Sequence, residues 1–334
     1  MENRKKDHIA LAFESQTSKE TIDKRFYYEP MLAAHPNNMI PPFIFLGKTF
    51  RAPIWVSSMT GGTELSGKIN RNLAKACNEF GFGMGLGSCR PILNDNTLFA
   101  DFDMRDVIGD DLPLFANLGI CQVEQLIEAN QSEKLITLIK RLRADGLIVH
   151  VNPMQEWFQQ EGDRIQHPPI ETIRRLLDKV RFPIIVKEVG HGMGPLSLQE
   201  LLKLPLAAIE FGAFGGTNFS QLELTRNANI DHKLFEPLTL IGMDAYQMLD
   251  FVNQIVKNEK SLLCNQIIIS GGIHSYLDGY YLIKKSSLPA IYGQASAYLK
   301  YAMDDYDKLH NYIEDQLKGL EMAYAYLRVK DLPK

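Results

Sequence analysis

The chain has 334 residues, 45% of them hydrophobic and 23% charged, a composition that excludes an intrinsically disordered protein. Its 36 lysines and arginines against 40 aspartates and glutamates leave a formal net charge of −4. No global basic field therefore favours nucleic acid, and any anion must be held by local groups.

From the N-terminus, the opening stretch MENRKKDHIA is charged and lacks the apolar core of a signal peptide. No apolar run approaches the ~20 residues that a membrane span requires. The four cysteines, Cys77, Cys89, Cys121 and Cys264, show no CxxC and no metal-type spacing. In a chain of this length they read as reduced thiols. The expectation is a cytoplasmic protein.

Apolar runs bounded by glycine, proline or polar turns predict eight strands, over residues 54–59, 81–88, 114–119, 147–152, 183–189, 207–212, 266–271 and 290–295. Helical apolar spacing fills most of the intervals, most clearly over 68–80, 135–142, 170–180, 246–256 and 276–284. Strand alternating with helix predicts a (β/α)8 TIM barrel over about residues 50–300, within a single domain spanning 1–334. An N-terminal arm of about residues 1–15 and a C-terminal helix are left over. The competing open, doubly wound sheet is disfavoured, because no GxGxxG follows an early strand. The second strand, GFGMGLGS, is weak by propensity, and its glycines imply that something approaches its backbone closely. The longest interval, 212–266, has room for a mouth loop at about 219–236.

In such a barrel the chemistry lies at the C-terminal strand ends. The first strand ends in Ser57, Ser58, Met59 and Thr60, and the second in Ser88, Cys89 and Arg90. The third carries Asn117. Alternation in the fourth puts His150 and Asn152 on one inward face, ahead of Gln155 and Glu156. Lys187 follows Ile184, Ile185 and Val186 in the fifth, a costly place for a cation unless an anion meets it. Glycines after the sixth strand (Gly215, Gly216, before Thr217), the seventh (Gly271, Gly272) and around the eighth (Gly293, before Ala295 and Ser296) free backbone N–H groups to face a phosphate. Singly, each feature has an ordinary explanation: His150 as a satisfied core histidine, Gln155 and Glu156 as a solvated loop. Polar or glycine-rich ends on all eight strands do not.

Several stretches resemble the type 2, FMN-dependent isopentenyl diphosphate isomerases. They are Arg4 to Ile9, Met59 to Gly62, GLGSCR ending at Arg90, FANLG at Phe115, His150 to Glu156, EGDR ending at Arg164, VKEVG at Val186 and GGTNF at Gly215. The resemblance implies that Ser58, Met59, Thr60, Ser88, Asn117, Lys187 and Thr217 hold FMN, with the backbones at Gly271, Gly272, Ala295 and Ser296. Arg4, Lys5, His8, Ser88, Arg90 and Gln155 would hold a homoallylic or allylic diphosphate, with Gln155, His150 and Asn152 beside the reacting carbons. Glu156 would bind Mg2+. The reaction implied is isopentenyl diphosphate to dimethylallyl diphosphate, with reduced FMN as acid/base, NADPH as flavin reductant, and a homo-oligomer, tetramer or octamer. The main alternative is an FMN oxidoreductase of the 2-hydroxy acid oxidase type, which wants a His/Arg pair that the late loops do not offer. Cys89, Gly194, Glu210, Ala213, His274 and the run Gln294-Ala295-Ser296 depart from the family's pattern and put affinity in question.

Overall fold

A computed structural model describes residues 2–37, 40–58 and 63–330. Eight parallel strands close into a barrel: Ile54–Val56, Gly83–Gly85, Leu114–Gly119, Gly146–Val151, Ile184–Glu188, Ala208–Glu210, Ile267–Ser270 and Ala290–Gln294. Each pairs with the next in sequence, and the eighth returns to the first through Tyr292–Ile54, Gly293–Trp55 and Gln294–Val56. These are the eight strands expected, each at its predicted place and several trimmed at the ends.

Helices follow the strands for local reasons. Glu64–Phe80 starts on a capping box in which Thr63 and Ser66 satisfy each other's backbone N–H, and it stops at Gly81, which takes the left-handed conformation. Tyr276–Lys285 starts on a second capping box, between Ser275 and Asp278. The expected C-terminal helix is Tyr306–Tyr326, continued by a short strand, Leu327–Val329, that pairs antiparallel with Phe26–Tyr28.

The short antiparallel elements before the barrel were not visible in the sequence pattern. One hairpin, Phe43–Phe45 with Lys48–Phe50, seals the N-terminal end of the barrel. Phe45 and Phe50 are fully buried, Lys48 Nζ donates to the Asp110 carbonyl at 2.6 Å, and Leu46 N–H donates to Gln266 at 2.8 Å. The mouth segment predicted as a loop over 219–236 is instead two short helices, Phe219–Arg226 and His232–Thr239, each started by a capping side chain, Asn218 and Asp231. Local capping overrode the polar character that read as loop.

The glycines of the second strand do admit a close neighbour, and it is the protein itself. A Cβ on Gly83 would lie 2.7 Å from the Trp55 ring, and one on Gly85 would lie 2.4 Å from Ile148. Trp55, fully buried and edge-on to Phe115 at 6.1 Å, fills the barrel centre that these glycines leave open. Gly212 is constrained differently. Its φ of +54° is left-handed, and a Cβ would stand 1.9 Å from the Glu188 carbonyl oxygen. Gly212→Ala is expected to cost about 2–4 kcal/mol, read as a lower urea midpoint with an unchanged slope. An unchanged midpoint would show that the strand-end turn can relax.

Candidate active site

Register and alternation together set a polar layer at the top of the barrel. His150 pairs with Lys187 and Lys187 with Glu210, so these three side chains face inward from adjacent strands, and Ser270 Oγ joins them by donating to Glu210 Oε1 at 3.2 Å. Beneath them the strands are apolar: Ile148, Ile185 and Ile268 are fully buried.

Above this layer opens a cavity of about 310 Å3. Its walls include Ser57 and Ser58 from the first strand, Lys187 from the fifth, Thr217, and the glycine-rich ends Ser270 to Gly272 and Gly293 to Ser296. Seven of the expected cofactor residues therefore meet here: Ser58, Lys187, Thr217, Gly271, Gly272, Ala295 and Ser296. Met59 and Thr60 lie outside the described residues. Ser88 and Asn117 do not line this cavity and stand on its other flank. Ser57 and Gln294 line it and were not assigned by sequence reasoning; the inward parity of Ser57 with Trp55 was the available signal.

The cavity suits a polar, anionic group of FMN's kind. The hydroxyls of Ser57 and Ser58 and the Oε1 of Gln294 are buried without a hydrogen-bond partner among the described residues, an arrangement that costs free energy unless a ligand completes it. Gln294 is oriented by donating its Nε2 to the Ile273 carbonyl at 3.0 Å, so its unpaired oxygen is an acceptor. Lys187 is 8% exposed and donates to the Glu188 carbonyl at 3.0 Å, an uncharged partner for a buried cation. At Gly271, with φ +89°, a Cβ would sit 2.1 Å from the Ala213 oxygen, so the chain there has no room for a side chain and presents backbone.

The other flank carries the second cluster. Asn117 donates its Nδ2 to the Leu86 carbonyl at 3.1 Å, so its Oδ1 accepts from His150 Nδ1 at 2.8 Å. The His150 proton is therefore on Nδ1, and Nε2 carries a lone pair. Burial, and secondarily the charge of Lys187, pull the His150 pKa from 6.5 to about 3, so the ring is neutral at physiological pH. Its unfolded form binds protons that its folded form does not between these two values, so stability is lost as pH falls from 6.5 towards 3. The urea midpoint should fall across that window, and His150→Asn should flatten the fall. An equal slope in both proteins would assign the effect elsewhere.

Asn152 Nδ2 donates to Gln155 Oε1 and to Glu156 Oε1, each at 3.1 Å, which brings the expected trio together at the start of the helix Pro153–Phe158. Glu156 is buried, and its other oxygen accepts the Asp163 N–H at 2.8 Å. Asp163 forms an ion pair with Arg90 at 3.0 Å. Cys89 is fully buried, its thiol pushed up to about 12 by desolvation, so it offers the mouth no nucleophile. Arg4, Lys5 and His8 are exposed on the helix Glu2–Leu11 and line neither of the two main cavities. Gly194 lines a second, largely apolar cavity outside the barrel wall.

The glycine turn beside Lys187 is fixed by a residue that sequence reasoning left without a role. Glu188 faces away from the barrel interior and accepts the N–H groups of Gly190, His191 and Gly192 at 2.7, 2.6 and 2.9 Å. His191 in turn ties the mouth helices down, bonding Ser220 Oγ at 2.7 Å and the Ile241 carbonyl.

The closed barrel, with its glycine-lined cavity and carboxylate–amide–arginine cluster at one mouth, is that of a TIM-barrel enzyme. Its fold matches a flavocytochrome b2 variant with pyruvate bound (TM-score 0.62, 13% identity, 94% of this chain and 77% of that one). It also matches a mandelate oxidase variant with an FMN adduct (TM-score 0.56, 11% identity, 92% and 88%). No family model matches the chain. Isopentenyl-diphosphate delta-isomerases do: that of Rickettsia felis is 31% identical over 99% of this chain and 95% of its own length, and that of Rickettsia typhi is 31% identical over 99% and 96%. The chain belongs to the isopentenyl-diphosphate delta-isomerase family, the type 2 enzymes that its motifs resemble.

Proposed function

We propose that this mouth isomerises isopentenyl diphosphate to dimethylallyl diphosphate with FMN in the glycine-lined cavity and Mg2+ on Glu156. The observation that carries the reading is a shared wall. Lys187, in the cavity, and His150, in the polar cluster, are register partners on adjacent strands, so a ring bound against one lies beside a substrate bound against the other.

Bound and reduced, FMN would supply an electron-rich ring and a proton-exchanging nitrogen. The protein's own groups do the rest. Lys187 would help to hold the ring and favour its anionic form. Ser58, Thr217 and the backbone at Gly271, Gly272, Ala295 and Ser296 hold the ribityl phosphate arm. Arg90 and Gln155 donate to the diphosphate, and Glu156 holds the ion that neutralises it. His150 can only accept at Nε2, and an amide does not titrate, so His150, Asn152 and Gln155 position the substrate and leave proton exchange to the ring. The apolar strand layer beneath excludes water from a cationic carbon.

NADPH as reductant, a cytoplasmic setting and a homo-oligomeric assembly belong to the same reading. The four free, buried cysteines support a reducing compartment, and no described helix is long and apolar enough to cross a membrane. The exposed arm carrying Arg4, Lys5 and His8 supports a further subunit or a closure that brings it to a mouth.

Incubation with isopentenyl diphosphate, Mg2+, FMN and a reductant should yield dimethylallyl diphosphate, followed by NMR. Protein that stays colourless and gains no flavin absorbance on adding FMN would sink the reading.

A further inference from the structure

The segment joining the helix Pro153–Phe158 to the helix Pro169–Lys179 carries no regular structure, yet it is fastened along its length by one helix, Ile120–Glu128. Glu124, almost fully buried, accepts the backbone N–H groups of Gln166 and His167 at 2.9 and 2.8 Å. Two residues before Glu124 and one after it, Gln122 Nε2 donates to Asp163 Oδ2 at 2.9 Å and Gln125 Nε2 to Asp163 Oδ1 at 3.2 Å. Both oxygens of Asp163 are thus held before Arg90 arrives.

Asp163 then touches two groups of the site by separate means. Its backbone N–H caps Glu156 Oε2, and its Oδ2 stands 3.0 Å from Arg90 Nη1. The Arg90 side chain is 52% exposed and, among the described residues, has no other ion pair or hydrogen bond. A free arginine at that exposure samples many rotamers, and ordering it on ligand arrival weakens binding. A carboxylate beside a diphosphate site would otherwise only repel the ligand. Its use is orientation: the Nη1 ion pair restricts where the guanidinium sits while Nη2 and Nε stay open to an incoming oxyanion.

We propose that Asp163 is a positioning residue that presets Arg90 for the diphosphate, anchored through Gln122 and Gln125. The proposal rests on reading the cluster as a diphosphate site. Side-chain replacement leaves the Asp163 N–H in place, so the support of Glu156 survives and the effect on Arg90 is isolated.

The test is a double-mutant cycle on the FMN-loaded enzyme, with Mg2+-pyrophosphate binding read by calorimetry and KM and kcat read by turnover. Asp163→Asn should weaken pyrophosphate binding and raise KM for isopentenyl diphosphate about tenfold, with kcat changed less than about twofold and FMN affinity unchanged. In an Arg90→Ala background the same change should add less than about twofold, because the residue it acts through is gone. Asp163→Ser serves as the second variant if the asparagine form does not fold. A wild type that binds pyrophosphate but makes no dimethylallyl diphosphate defeats the proposed reaction and leaves the calorimetric test of Asp163 standing. Equal pyrophosphate affinity in wild type and Asp163→Asn, the same loss with and without Arg90, or no pyrophosphate binding by wild type overturns the Asp163 proposal.

Discussion

Lys187→Ala is expected to lower FMN affinity at least tenfold and isomerase turnover by about 10²–10³, the scale set by removing one preorganised charge from a water-poor site. Among the described residues, Lys187 is the one lysine or arginine that lines the cavity; it is 8% exposed, and its hydrogen bond goes to a neutral carbonyl. Among the described residues that buried positive charge has no ion pair, a cost that a bound anionic ring would offset. Without the ammonium, the neutral His150 would face an empty space on the neighbouring strand rather than a charge. Flavin absorbance titration and a turnover assay read the two effects separately. A variant that binds FMN normally and turns over at wild-type rate would remove Lys187 from the site.

The second large effect is expected at Glu156. Glu156→Gln should raise the Mg2+ concentration needed for half-maximal activity about 10–100-fold while leaving FMN bound. Both carboxylate oxygens of Glu156 are acceptors, from Asn152 Nδ2 at 3.1 Å and from the Asp163 N–H at 2.8 Å. An amide would satisfy one and turn a donor towards the other, so local geometry suffers together with charge. The residue lines neither of the two main cavities, and its helix is separate from the strand ends that line the first of them. Loss of FMN from this variant would mean that Glu156 supports the cavity rather than a metal.

The strands were legible because parallel barrel strands are buried on both faces and read as unbroken apolar runs. LFANLG at Leu114 and IIVKE at Ile184 are such runs, and both stand where expected. In the fourth strand the period of two was enough to place His150 inward, and Lys187 stood out as a cation after three apolar residues. The hairpin Phe43–Phe45 with Lys48–Phe50 was not legible, because three-residue strands carry too little alternation to separate from a loop. The mouth helices were missed for a related reason: each has only 8 residues and starts on a cap, Asn218 or Asp231, that a loop would carry as readily, and Ser220 is tied to His191 only across space.

The site divided along the same line. Residues fixed by strand parity gathered at one mouth, as the motifs implied. Cys89, which departs from the family's pattern, turned out to be a core thiol, fully buried in the hydrophobic cluster. Asp163 sits in the EGDR run, but its role depends on Gln122, Gln125 and Arg90, which are some 40 and 70 residues away in sequence. No spacing rule connects them. The arm residues Arg4, Lys5 and His8 belong to a helix whose described side chains are exposed, so their motif alone assigned them to the mouth.

In the proposed reaction this mouth moves a proton without net redox change. The direct measurement is anaerobic: enzyme with chemically reduced FMN and Mg2+ is given isopentenyl diphosphate in D2O, with product mass and flavin absorbance followed together. The expected result is dimethylallyl diphosphate that has taken up solvent deuterium over many turnovers, with the flavin still reduced at the end. Stoichiometric reoxidation of the flavin by substrate, or no product while a 2-hydroxy acid bleaches the oxidised form, would contradict it.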